Sequence, residues 1–182
     1  MNMTPRRQMT LALMAVIFCL GLMQGQEMVG QQRPQEYAVK AAYLYNFGKF
    51  AKWPSETPSF NICLLGKDPF GSSLDRTVAG ESIDGKPIAV RRLNDLGAVR
   101  DCEILFVSSS ERGRMAWVLA QVQNLPILTV SDAPEFLDRG GMIQFELQND
   151  RVRFSINLRA ARDAKLNISS ELLNVATRVE GR

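Results

Sequence analysis

The sequence predicts an α/β fold: a mostly parallel mixed sheet flanked by helices, ending in an antiparallel hairpin and a C-terminal helix. Three observations predict it. Short apolar runs of strand length alternate with helical patterns, which implies a sheet covered on both faces. Residues 140–158, GGMIQFELQNDRVRFSINL, alternate apolar and polar on either side of Asn149-Asp150, the pattern of two strands joined by a tight turn. Finally, Ser169 or Ser170 stands as a cap ahead of Leu172, Leu173, Ala176 and Val179 at helical spacing.

The elements follow in order. Residues 37–51 carry Val39, Tyr43, Phe47 and Phe50 on one stripe and Tyr37, Ala41 and Leu44 on another, so a well-buried first helix is expected there. Trp53-Pro54 ends it, because the residue before a proline is pushed out of the helical region. FNICLL (60–65) reads as a buried strand, and residues 70–78 as a short helix. KPIAVRRL (86–93) is a second strand entered through the turn signal Asp84-Gly85, and EILFV (103–107) a third. Ser108 with Glu111 forms a capping-box pattern for a helix whose apolar stripe is Met115, Val118, Leu119 and Val122. PILTV (126–130) is a fourth strand, and 131–137 a helical turn before the hairpin.

In the hairpin, a turn at Asn149-Asp150 pairs Leu147 with Val152, Phe145 with Phe154 and Ile143 with Ile156 on the buried face. The same register sets Glu146 opposite Arg153 as an expected ion pair, and a slip of one residue would lose both sets. Gly140-Gly141 supplies a bend on entry.

A chain of 182 residues with 46% hydrophobic residues is long enough for one domain with a real core. A net charge of +3 without clustered Lys and Arg argues against nucleic-acid binding. There is no histidine, which removes His-based metal sites and Ser-His-Asp or Cys-His catalysis, and three cysteines are too few for a Cys-only zinc site. Arg6 and Arg7 precede an apolar run over 9–23, the pattern of a secretory signal. The expected organisation is a signal peptide over 1–25, a polar linker over 26–35 and a single domain over 36–182, placed in the periplasm. An uncleaved membrane anchor is the alternative, although the run falls short of the roughly 20 residues a span requires.

Motifs that carry chemistry are few. GKDPFG (66–71) follows a strand and opens a helix, but its order is not that of a phosphate-binding loop; Asp68 as a cap and Pro69 as first helical residue account for it. Ser108-Ser109-Ser110 has no base beside it and reads as a cap. Asp132, Glu135 and Asp138 are too sparse for a calcium loop. No metal site and no cofactor is expected. The charges that stand out are Arg151, Arg153, Arg159 and Arg162. The first three would share the polar face of one strand, either as a solvated face or as a recognition surface for an acidic partner or an anionic ligand.

Four stretches carry a resemblance: AVKAAYLYNFGKFAKWP (38–54), FNICLLGKDPFG (60–71), GGMIQF (140–145) and RVRFSINLRAARDAKLNISSELL (151–173). In this order and spacing the chain, over 37–179, resembles the YfiR-like periplasmic proteins. The resemblance implies a secreted α/β domain without enzymatic activity that restrains an inner-membrane diguanylate cyclase by binding its periplasmic sensor region, lowering cyclic di-GMP signalling and biofilm formation. It also implies a homodimer and a disulfide between Cys63 and Cys102. An oxidising compartment and an even cysteine count after loss of Cys19 agree with that bridge. A second family disulfide is missing, since 137–144 contains no cysteine. Family proteins also stand beside other membrane receptors, so the partner need not be a cyclase.

The leading expectation is therefore a periplasmic regulator, with Arg151, Arg153 and Arg159 facing the partner. The rival is a periplasmic small-molecule-binding module with Trp53, Arg159 and Arg162 as contacts. A structural envelope protein is a third reading.

Overall fold

The computed structural model describes residues 27–54 and 57–181, of which Glu36 onward forms one compact unit. The expected signal segment, 1–25, lies outside these residues. The first helix, α1 (Glu27–Phe50), starts inside the stretch expected to be a polar linker; Glu, Met and Gln are good helix formers, so polarity alone did not mark a linker.

Ala51–Lys52 (β1) pairs antiparallel with Asn167–Ile168 (β9) in a small separate sheet. The main sheet holds eight strands. Phe60–Leu65 (β2) lies between Lys86–Leu93 (β4) and Ile104–Val107 (β5), parallel to both. Leu128–Ser131 (β6) and Ile143–Gln148 (β7) continue the parallel run beyond β5. Arg151–Asn157 (β8) returns antiparallel to β7, and Arg178–Glu180 (β10) lies parallel along its outer side. Ser82–Ile83 (β3) closes the other edge against β4. The chain thus steps outward from β2 to β4, then crosses back to β5, β6 and β7, which places a topological switch between β2 and β5.

The central strands bury both faces, and their alternation feeds two cores. Ile62, Leu64, Ile104 and Phe106 join the core that holds Leu44 and Phe47 of α1 and Leu74 of the helix Ser72–Val78 (α2). Cys63, Leu65, Leu105 and Val107 face the other way, onto Val118, Leu119 and Val122 of the helix Met115–Val122 (α3).

The hairpin adopts the expected register, with Ile143 opposite Ile156, Phe145 opposite Phe154 and Leu147 opposite Val152. Asn149 and Asp150 both take positive φ (51° and 58°), the demand of a two-residue hairpin turn. Ring contacts lock the buried face to α1: Phe154 meets Phe47 edge-on at 5.0 Å and Tyr43 at 5.2 Å. Gly141 is fixed by packing, because a Cβ there would lie 2.3 Å from the Phe136 ring.

Several expectations are corrected. α1 is buried on one face only: Ala41, Leu44 and Phe47 are inside, whereas Val39 and Phe50 are exposed. Leu147, 57% exposed at the hairpin tip, lies beyond the reach of the core. Glu146 stands opposite Arg153, but its carboxylate accepts from Ser155 Oγ and Gln148 Nε2, both at 3.0 Å, instead of forming the expected ion pair. Arg159 is not on the strand. The Asn157 side chain accepts from the Ala160 amide and turns the chain into a helix, Leu158–Asp163 (α4). The expected helical turn over 131–137 is not a helix: Ser131 ends β6 and residues 134–140 form turns. Ser108 caps a 3-10 helix, Ser109–Arg114, ahead of α3. Its capping box is incomplete, because the Ser108 N–H is taken by the Leu65 carbonyl while Glu111 pairs with Arg114. The last helix, Ser170–Val175 (α5), is capped by Ser169 and stops before Val179, which instead joins β10 and finds partners on the open side of β8.

Candidate functional site

Doubly wound sheets bind ligands beyond the C-terminal strand ends at the topological switch point. Here that crevice is filled by the chain itself. The Lys67 amide donates to Ser110 Oγ at 2.9 Å, and a Cβ on Gly66 would lie 2.5 Å from that oxygen and 2.7 Å from a Glu111 carboxylate oxygen. Beside it, Arg92 ties the GKDPFG turn together. Its guanidinium donates to Asp68 at 2.8 Å, to Asp75 at 2.6 Å and to the Gly71 carbonyl at 3.1 Å. The hydrogen bond from Arg92 is the main cause that holds the Asp75 carboxyl below the usual aspartate range, and those to Asp75 and Asp68 raise the guanidinium still further above its ordinary value. Asp68 also accepts from the Phe70 and Gly71 amides, so it caps the turn while α2 begins later, at Ser72.

Next along this edge lies a cluster that sequence reasoning missed. Lys40 on α1 is buried, yet its ammonium lies 2.5 Å from Glu36 and 2.7 Å from Asp132, just past the end of β6. Tyr37 donates its hydroxyl to the same Asp132 oxygen at 2.7 Å. The Lys40 ammonium also sits 4.3 Å from the Tyr37 ring centroid. The second Asp132 oxygen is buried and has no hydrogen-bond partner among the described residues. The available signal was a lysine inside an apolar helical stripe, which demands a buried counter-charge.

The arginines are divided between two places. Arg151 and Arg153 project from the exposed polar face of β8, and neither makes an ion pair among the described residues. Arg159 and Arg162 sit on α4. Arg162 donates to the Gly181 carbonyl at 3.2 Å, and with Arg159, Asp163 and Gly181 it lines a surface depression. Arg159 and Asp163 also border a cavity of about 310 Å³ where the end of α3, residues 139–142 and α4 converge. Leu119, Val122 and Met142 supply its apolar wall, and Arg139 stands on its rim, 2.9 Å from Glu135.

Trp53, expected to join Arg159 and Arg162, lines a different pocket with Lys52, Asp84 and Glu103. Its indole N–H donates to the Glu103 carbonyl at 3.1 Å and its ring meets Phe60 edge-on. It anchors the start of the sheet rather than facing the arginines. Cys63 and Cys102 form a disulfide with Cα atoms 5.9 Å apart. Among the described residues, no group of three His, Cys, Asp or Glu side chains is placed to hold a metal ion, and no helix is long and apolar enough to cross a membrane.

Comparison with known proteins adds a family and a fold. Residues 37–177 match the model of the YfiR/HmsC-like family. The fold is similar to the crystal structure of a conserved domain protein from Vibrio cholerae O1 biovar eltor str. N16961, with a TM-score of 0.51 at 10% identity. The match covers 77% of this chain and 60% of that one, so the chain spans less than two thirds of its length. No curated protein sequence matches.

Proposed function

Because the chain belongs to the YfiR/HmsC-like family, we propose that it is a periplasmic regulator that binds and restrains the periplasmic sensor region of an inner-membrane signalling enzyme such as a diguanylate cyclase. The family match over 37–177 carries this reading, because it spans nearly the whole compact unit. Two features support it. The buried Cys63–Cys102 bridge suits an oxidising compartment. Arg151 and Arg153 leave two guanidinium groups open to an acidic partner surface, where such charges chiefly govern association rate and specificity. The active form in this reading is a homodimer, and Arg159 extends the recognition surface onto α4.

The test is capture of the purified periplasmic region of a cyclase encoded beside this gene, together with cyclic di-GMP measured after gene deletion. Capture and a rise in the nucleotide are expected. A deletion that leaves cyclic di-GMP unchanged removes the cyclase version.

The cavity bordered by Arg159 favours a second reading, a small-molecule-binding module within a signalling system. Thermal-shift screening separates the two: a strong shift with a metabolite and no membrane partner in pull-downs favours the module.

A further inference from the structure

We propose that the cavity between the end of α3 and α4 is a binding site for an organic monoanion with an apolar tail, its carboxylate held by Arg159. The proposal rests on the small-molecule reading and is independent of any protein partner.

Three observations carry it. The cavity, about 310 Å³, lies at the small end of ligand-sized sites, which run from roughly 300 to 1,000 Å³. Its inner wall is apolar: Leu119, Val122 and Met142 are nearly fully buried yet line it, so a hydrocarbon tail would complete their packing. Its mouth is cationic. Arg159 borders both the cavity and the neighbouring depression and makes no hydrogen bond or ion pair among the described residues. Arg139 donates to Glu135, and Arg162 to Gly181. A guanidinium carries five N–H donors in a planar fork, so donors remain for a carboxylate. The charged lining of the cavity is Arg139, Arg159 and Asp163. With Arg139 already donating to Glu135, Arg159 is the lining guanidinium that can take a single carboxylate, which favours a monoanion over a neutral molecule.

The apolar wall and the cation lie on different elements, and α4 brings them together. Had β8 continued straight through Leu158, Arg159 would have stood on an exposed strand face. The Asn157 cap turns it onto the cavity instead.

Isothermal titration of the purified protein with octanoate, 1-octanol and norleucine tests the proposal. One octanoate per chain is expected. Affinity should fall about tenfold or more in Arg159→Gln, the loss of a charge-assisted hydrogen bond. It should be partly retained in Arg159→Lys and lost in Ala120→Phe, which fills the cavity from an exposed position on α3. Thermal unfolding of ligand-free Arg159→Gln should match wild type. Octanol binding as tightly as octanoate, or norleucine binding while octanoate is silent, overturns the monoanion class but keeps a small-molecule site. Octanoate binding unaffected by both Arg159→Gln and Ala120→Phe places the ligand elsewhere and overturns the site. Silence with all three probes overturns the proposal, whereas the small-molecule reading falls only if the thermal-shift screen is silent as well, and neither outcome touches the partner reading.

Discussion

The Lys40 ammonium lies 2.7 Å from Oδ2 of Asp132, across 92 positions of sequence, with Lys40 only 3% exposed. This pair ties α1 to the end of β6 at a site where Lys40 is buried and Asp132 nearly so. Replacing Lys40 by an apolar residue leaves the Asp132 carboxylate largely buried with the Tyr37 hydroxyl but no counter-charge, and breaking a buried pair in this way typically costs about 3–5 kcal/mol. Lys40→Met is therefore expected to lower stability by about that amount in urea melts, and Lys40→Met combined with Asp132→Ala by less than the single change. A single-variant loss below about 1 kcal/mol would mean that the pair contributes nothing net.

Phe154 is 1% exposed and contacts Phe47 and Tyr43. Phe154→Ala should cost about 3–5 kcal/mol, the transfer and cavity contributions of a buried ring. Leu147→Ala, on the same face of the hairpin but on β7 at its open tip, should cost less than about 1 kcal/mol. Equal losses at the two positions in equilibrium melts would contradict the described limit of the core.

Charge reversal at Arg153 and Arg159 should leave the circular dichroism spectrum intact while weakening partner capture, most clearly at low salt. Charges at the rim of an interface act mainly on association rate and its salt dependence. Since the two residues sit on different elements, Arg153→Glu and Arg159→Glu need not act alike. Unchanged capture by both variants removes this surface from the interface.

Cys63 and Cys102 are 0% and 3% exposed and 39 positions apart. A cross-link closing a loop of this size contributes about 4 kcal/mol in the chain-entropy model. The double variant Cys63→Ser, Cys102→Ser should fold less stably and accumulate poorly. Thiol titration of the secreted wild type under denaturing, non-reducing conditions should find no reactive thiol, and two per chain would rule out the bridge.

Arg92 holds the Asp75 carboxyl below the ordinary aspartate value of 3.8. Asp75 is then ionised more readily when folded than when unfolded. It contributes stability above the unfolded value, and that contribution disappears as pH falls through its lower folded value. Arg92→Gln should flatten this part of the acid limb below about pH 4, with little change in its slope near neutrality. An acid limb identical to wild type would show that the contact is too solvent-screened to matter.

The sequence by itself determined the α/β class, the positions of the long strands and the register of the closing hairpin. Each rests on local information: runs such as FNICLL and KPIAVRRL carry their own periodicity, and Asn149-Asp150 accepts the positive φ that its turn requires. Sequence also supplied the likeness of the YfiR type, which the match over 37–177 bears out, and the pairing of Cys63 with Cys102. Tertiary structure decided what depends on distant partners. Val179 leaves a helical pattern because β8 offers an open edge. Lys40 can be buried because Asp132 arrives from the far end of another strand. Arg159 leaves the face of Arg151 and Arg153 because one cap at Asn157 turns the chain, bringing it to a cavity whose apolar wall comes from α3 and the loop before β7. Periodicity reports which way a side chain points along its own element, whereas a site is assembled from elements whose meeting only the folded chain fixes.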